Sequence, residues 1–306
     1  MFEAFTQIQG ALVELAHYVL NPSKRIYWLY LLSGLGLALV WAFMTSQSLL
    51  SLLKKSCSAK YWFSKSSQLD LKWITVNQLL ALFLLLPLLT GQVAWAMSVY
   101  RFLTAFFGSG DFIQISSLSL MLLFTITVFL FEDFSRFLVH YAYHKVPLLW
   151  RFHAIHHSAL TMTPLTLYRV HFIEYCINAC RSLVVTGTVS GVFIYCFVGR
   201  IGVYEVLGVS IFNLVFNLAG ANLRHSHVWL GFGKFENWFI SPAQHQIHHS
   251  SHAQHLDKNF GASLSIWDRL FGSWLGSKKQ TVKRFGLYKT VNPQKFYKQI
   301  FGIKPL

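Results

Sequence analysis

Long uncharged apolar runs alternate along the chain with short, lysine-rich polar segments. The repeat has the length of a bilayer crossing rather than the period of a soluble core helix. Residues 26–46 carry no charge. Residues 73–100 form a second uncharged run, broken only by polar side chains such as Asn77 and Gln92. Residues 113–131 form a third. Each exceeds the roughly 18 residues that predict a spanning helix. Residues 183–199 and 201–223 make a fourth and a fifth, separated by Arg200 and with Glu205 inside the latter. That pair predicts a helical hairpin dipping into or across the membrane. The opening residues carry Glu3 and Glu14 and lack a basic start followed by an apolar stretch, so they predict an amphipathic surface helix rather than a signal peptide. The expected fold is an all-α integral membrane protein with four to five transmembrane or hairpin helices and a cytosolic helical cap.

Composition agrees. Hydrophobic residues make up 54% of the chain and charged residues 12%, against about 25% charged in an average soluble domain. The mean hydropathy is +0.44. The net charge of +15 is informative through its placement. Lys54, Lys55, Lys60, Lys65 and Lys72 lie between the first two apolar runs, while the next loop has only Arg101 against Asp111. Positive charge marks the cytosolic side, so residues from 140 onward and the lysine-rich tail are expected there. Lys24 and Arg25 oppose this orientation and are outnumbered. A basic tail also suits nucleic acid, but anionic lipid headgroups are the nearer partner. Cys57, Cys176, Cys180 and Cys196 have no CxxC spacing and predict no disulfide framework.

All but one of the 14 histidines fall between residues 140 and 255, and His17 is the exception, expected at the surface. His140 and His144 are four apart. His153, His156 and His157 form an H-x-x-H-H pattern, which His245, His248 and His249 repeat. On a helix, positions i, i+3 and i+4 share a face, so these residues can turn many imidazoles into one space. Neutral imidazole suits iron, zinc and copper, and a nearly all-nitrogen site excludes magnesium and calcium. Eight or more ligands exceed what one ion accepts, which predicts two metals. Two other classes of protein are weighed against this. A haem-binding electron-transfer protein would use histidines facing each other within spans, and His140 and His153 have a haem-like separation. Pro147 would break the intervening helix. A metal transporter needs ionisable residues within its spans, which the runs preceding the cluster lack.

The run 133–144, with Asp133, His140 and His144, resembles the first histidine box of the fatty acid hydroxylase superfamily, also called the sterol desaturase family. Residues 149–158 look like its second box. Arg169, His171 and Glu174 are similar to an R-x-H-P-x-E segment in which Phe172 replaces proline. Residues 223–227 match a single-histidine region, with His227 where asparagine is frequent. Residues 245–250 resemble the last box, followed by closing signatures at 257–261 and 266–272. The resemblance covers residues 133–276.

This resemblance implies O2-dependent oxidation of a lipid, hydroxylation or desaturation, with two irons in the active enzyme and zinc as a common replacement. It implies catalytic residues among His140, His144, His153, His156, His157, His245, His248 and His249, with His225 as a ninth metal ligand. His171 is the tenth candidate, because position 221, where a partner for His225 would stand, is Ala; His227 competes for that role. Asp133, Glu174, Asp257 and Asp268 are candidates to orient imidazole N–H groups, or else to pair with Arg136, Arg169, Lys258 and Arg269. Asn259 and Trp267 are expected to fix the loop beneath the last triad. The chain has no flavin, haem or iron–sulfur motif, so electrons would come from another protein, cytochrome b5-like or ferredoxin-like. The expected domains are 1–112, an amphipathic helix and two spans; 113–276, the catalytic domain; and 277–306, a basic tail with interfacial aromatic residues. Residues before 110 are expected to contribute only anchoring.

Overall fold

The structure, a computed structural model, describes residues 17–22, 24–110, 115–197, 214–288 and 295–303. The expected amphipathic helix before residue 17 and most of the run 201–223 lie outside the described residues. Among the described residues the fold is helical and holds no strand, only two isolated β-bridges. In chain order the principal helices are α1 (Trp28–Met44), α2 (Leu49–Ser56), α3 (Lys65–Phe107), α4 (Ser117–Lys145), α5 (Pro147–His157), α6 (Phe172–Cys196), α7 (Pro242–His248) and α8 (Ile266–Leu270).

Two of these, α4 and α6, are long and apolar enough to cross a membrane, and α3 makes a third if its two halves are one span. Four to five transmembrane or hairpin helices were expected, and the fifth of those runs lies mostly outside the described residues. The first apolar run does form a helix, α1, but it has only 17 residues. The third run becomes α4, and α3 and α6 begin well before the hydropathy of the second and fourth runs rises. Charged side chains in their N-terminal halves are neutralised by partners that hydropathy cannot see. Asp70 on α3 pairs with Arg169 at 2.6 Å, and Arg181 on α6 pairs with Glu132 on α4 at 3.0 Å. Pro87 interrupts α3, where its missing N–H and its ring break the helical ladder, and the two halves meet at 50°.

The helices α3 and α6 pack closely because α6 presents Gly187 and Gly191 one turn apart. A Cβ at Gly191 would fall 2.5 Å from the Ala96 carbonyl, and one at Gly187 would fall 2.9 Å from the Trp95 ring. This small-residue stripe lets two backbones approach, as in membrane helix pairs, and the Trp95 indole N–H donates to Thr188 Oγ1 at 2.9 Å across it.

The histidine-bearing elements sit at one end of this bundle. Val146 ends α4, and Pro147 starts α5 at the position where a proline costs no hydrogen bond. The chain therefore folds back sharply between His144 and His153. The C-terminal residues return to the same end. Ile303 N–H donates to the Arg151 carbonyl of α5 at 2.7 Å, and the Trp73 indole donates to the buried Gln299 at 2.8 Å. Leu287 and Ile303 join Trp73, Ala154 and Ile155 in one apolar cluster. The tail is thus docked in part, while Tyr297 and Phe301 stay exposed.

Candidate metal centre

Two groups of histidines converge. His140, His144, His153, His157 and His248 place one ring nitrogen each within 4.8 Å of one another, and so do His156, His225, His245 and His249. Each H-x-x-H-H triad is divided between the groups. The i, i+4 pair of α5 (His153, His157) joins the single His248 of α7, and the i, i+4 pair at the end of α7 (His245, His249) joins the single His156 of α5. The last two turns of α4, with His140 and His144, and the helical turn Ala221–His225 complete the two sets.

Local structure fixes these side chains. Helix α7 starts with a capping box in which Ser241 Oγ accepts from Gln244 N–H and Gln244 Oε1 accepts from Ser241 N–H. Four imidazoles direct Nδ1 at an oxygen: His140 at the Phe260 carbonyl (2.7 Å), His153 at Glu174 Oε1 (3.1 Å), His156 at the Arg169 carbonyl (3.2 Å) and His248 at the Lys258 carbonyl (2.8 Å). A carbonyl or carboxylate oxygen only accepts, so each Nδ1 carries the hydrogen. In a neutral imidazole Nε2 is then a bare lone pair.

Those lone pairs face one another. His140 Nε2 lies 3.1 Å from His153 Nε2, which lies 3.2 Å from His157 Nε2. The Nε2 atoms of His225, His245 and His249 form a triangle with sides of 3.1, 3.2 and 3.2 Å. Hydrogen bonds cannot satisfy the His140–His153 contact, because both hydrogens are on Nδ1. A proton between the rings is disfavoured as well: burial pushes His153 and His156 down to about 3, with the charge of His153 a further cause at His156. Burial, followed by neighbouring histidines, holds His157, His225, His245, His248 and His249 well below the usual imidazole range. A divalent first-row ion bonds imidazole nitrogen at about 2.1 Å, so two ligands of one ion lie about 3.0 Å apart at a right angle and about 3.4 Å apart at the tetrahedral angle. The observed separations fall in that interval. The buried Nε2 atoms of His144 and His248 also have no hydrogen-bond partner. The donor set fits transition-metal ions.

His171 joins neither group. It caps α6, with Nδ1 accepting from Ile173 N–H at 3.1 Å, and its Nε2–H donates to the Ile300 carbonyl at 2.9 Å, so no lone pair is left for a metal. His227 also lies outside both groups, 3.4 Å from Ser56 Oγ and edge-on to Tyr61. His255 bonds Gln280, and His252 stacks on His255. His17 opens a 3-10 turn. All four cysteines are free.

Among the four acidic candidates Glu174 touches a group histidine directly. Asp133 accepts from Ser263 N–H, Leu264 N–H and the Trp267 indole, and Asp268 accepts from Phe260 N–H, Gly261 N–H and Ser273 Oγ. These two carboxylates hold the loop whose carbonyl receives His140. Asn259, at φ 58°, bonds the Gln244 and Leu275 carbonyls beneath α7. Asp257 pairs with Lys145 at 2.5 Å and faces His144 Nδ1 at 3.6 Å. None of the four pairs with the arginine or lysine expected as its alternative partner: Arg136 takes Glu132 and Arg169 takes Asp70. Residues before 110 do more than anchor. Asp70 and Ser66 on α3 hold the Arg169 side chain, and the Arg169 carbonyl receives His156. The carbonyls of Lys258, Phe260 and Arg169 had no signal in the sequence, because every residue type offers a carbonyl.

The fold and site define a helical protein with apolar spans and a paired histidine cage at one end. Residues 125–273 match the fatty acid hydroxylase family, and over this stretch the chain carries a domain of the fatty acid hydroxylase type. Among curated proteins it is similar to an alkylglycerol monooxygenase of Xenopus tropicalis, 26% identical over 164 residues, which covers 54% of this chain and 33% of the relative. The human alkylglycerol monooxygenase is 25% identical over 166 residues, with the same two shares of 54% and 33%. The ornithine lipid hydroxylase OlsE of Rhizobium tropici is 27% identical over 188 residues, covering 56% of this chain and 51% of the relative. The chain thus spans between a third and about half of the length of these relatives. No solved structure matches it.

Proposed function

We propose that the chain is a membrane-bound, O2-dependent lipid hydroxylase with two irons. His140, His144, His153, His157 and His248 would hold one ion, and His156, His225, His245 and His249 the other. The observation that carries this reading is the set of facing Nε2 lone pairs, which a cation between the rings would turn from repulsion into bonding. The names of the relatives, alkylglycerol monooxygenase and ornithine lipid hydroxylase, support a lipid with an alkyl chain as substrate.

A pair of ferrous ions supplies O2 reduction and the cleavage of an unactivated C–H bond, which no side chain can perform. The balance is one O2, one C–H bond, two electrons and two protons giving one alcohol and one water. The electrons come from an external donor protein, cytochrome b5-like or ferredoxin-like, docking on the basic face. The chain's own residues position and insulate. Glu174 and the three carbonyls fix the tautomer and ring plane of four imidazoles, which preserves the donor geometry. Burial keeps the rings neutral, so the site remains cationic when loaded. The stacking of Tyr143 on His153, at 20° and 5.1 Å, closes one wall against water. The histidine end and the C-terminus are placed on the cytosolic side from the lysine distribution. Elemental analysis of the folded protein tests the centre: about two transition-metal ions per chain are expected, as iron or as adventitious zinc, and one or fewer after iron reconstitution would sink the paired centre.

A further inference from the structure

Beside the histidine groups lies a chamber of about 530 Å³ with an almost wholly apolar lining, well inside the size range of ligand cavities. Leu37 on α1 and Phe129 on the apolar span α4 contribute to its wall, most of which comes from residues 215–263, and Phe235 and Phe239 on its rim are 69% and 49% exposed. Exposed phenylalanines at such a rim suit burial in the acyl boundary of a bilayer. Arg224, the neighbour of His225, reaches the same chamber.

The charges around it are unusual. The Arg224 and Arg25 guanidinium groups both lie over the ring of Phe216, at 4.6 and 5.5 Å. Among the described residues neither forms an ion pair with a carboxylate. Arg224 donates only to the backbone carbonyls of Ala262 and Ile240. The Arg25 guanidinium donates to no described residue. Asp133, whose charge is felt at Arg224, is occupied by the 263–267 loop. Burial, then the charge of Arg25, pushes Arg224 down to about 9. Arg25 also lines a second, more polar pocket of about 300 Å³ with Lys24, Tyr18, Asn77 and Tyr168, and among the described residues no acidic side chain lines it. Two like charges brought together out of water cost stability unless an anion offsets them.

We infer that the two cavities form one binding site for an anionic lipid from the bilayer, its phosphate or carboxylate headgroup held at Arg25 and its hydrocarbon chain in the apolar chamber beside the second histidine group. The inference rests on the lipid-oxidation reading for the claim that this lipid is the substrate. The occupant is a lipid rather than a free anion because the apolar chamber is larger than the polar pocket and its wall includes the apolar span α4. The arginines select the headgroup, since guanidinium bonds such oxygens in pairs.

The test is lipid binding without turnover, read by native mass spectrometry of the purified full chain. Phosphatidic acid and diacylglycerol with the same acyl chains differ only in the phosphate. Phosphatidic acid is expected to bind at least about tenfold more tightly, and Arg25→Gln to remove about tenfold of that preference, Arg25→Lys retaining part of it. Leu37→Trp, which fills the chamber, is expected to weaken both lipids. Melting curves confirm that each variant is folded. Equal affinity for the two lipids, an unaffected Arg25→Gln, or an unaffected Leu37→Trp overturns the site. Displacement of phosphatidic acid by millimolar inorganic phosphate overturns the lipid as its occupant. Binding as expected from a protein that oxidises no lipid would instead refute the proposed function and leave the site standing.

Discussion

His156 and His171 are both buried and both donate to a backbone carbonyl, yet their remaining nitrogens differ. His156 turns its free Nε2 toward His225 at 3.3 Å, whereas the second nitrogen of His171 accepts a helix N–H. His156→Ala and His248→Ala, one from each group, are expected to lose metal and lipid oxidation. His171→Ala is expected to keep both ions and to lose about 1 kcal/mol of stability with the helix cap. His252→Ala should match the wild type. Glu174→Gln, which weakens the bond to His153, is expected to lower metal affinity by roughly 10- to 100-fold. Metal content and melting temperature, measured side by side, separate these outcomes, and full metal content in His248→Ala would refute the cage. Eight of the nine histidines in the two groups were legible in the sequence, because helical spacing puts i, i+3 and i+4 on one face, whereas the lone His225 came from the family resemblance. His171 was not separable from them, since only its contacts show that both nitrogens are committed.

At the scale of the helix, hydropathy revealed that α1, α3, α4 and α6 exist but misjudged where α3 and α6 begin. Asp70, Glu174 and Arg181 sit within helices that the apolar runs appeared to exclude, each matched by a partner distant in sequence. The contact between α3 and α6 was equally hidden, since a glycine pair signals close approach without naming the neighbour. Gly191→Leu is expected to force these helices apart, at a cost of about 3 kcal/mol in thermal unfolding. Gly36→Leu, at a position with no atom within 4 Å of the added Cβ, should leave the melting temperature unchanged. Equal effects from the two would show that the close approach is not what the glycine serves.

At the scale of the molecule, reporter fusions at residues 160 and 306 are both expected to give a cytosolic signal; an external signal from either would reverse the proposed orientation. The separation into an anchor, a catalytic unit and a tail was the least legible feature. Trp73 from the presumed anchor, Ile155 from α5 and Ile303 from the tail meet in a single cluster, and composition says nothing about such meetings. The division of each histidine triad bears on biosynthesis. Both groups need α7, one for His248 and the other for His245 and His249. A growing polypeptide that has passed only His225 offers two incomplete cups, however well its earlier helices have settled. If the two groups hold ions as proposed, loading follows synthesis of the last triad. Cellular shortage of the ion would then leave a finished but unfilled polypeptide with repelling imidazoles, the species on which quality control would act.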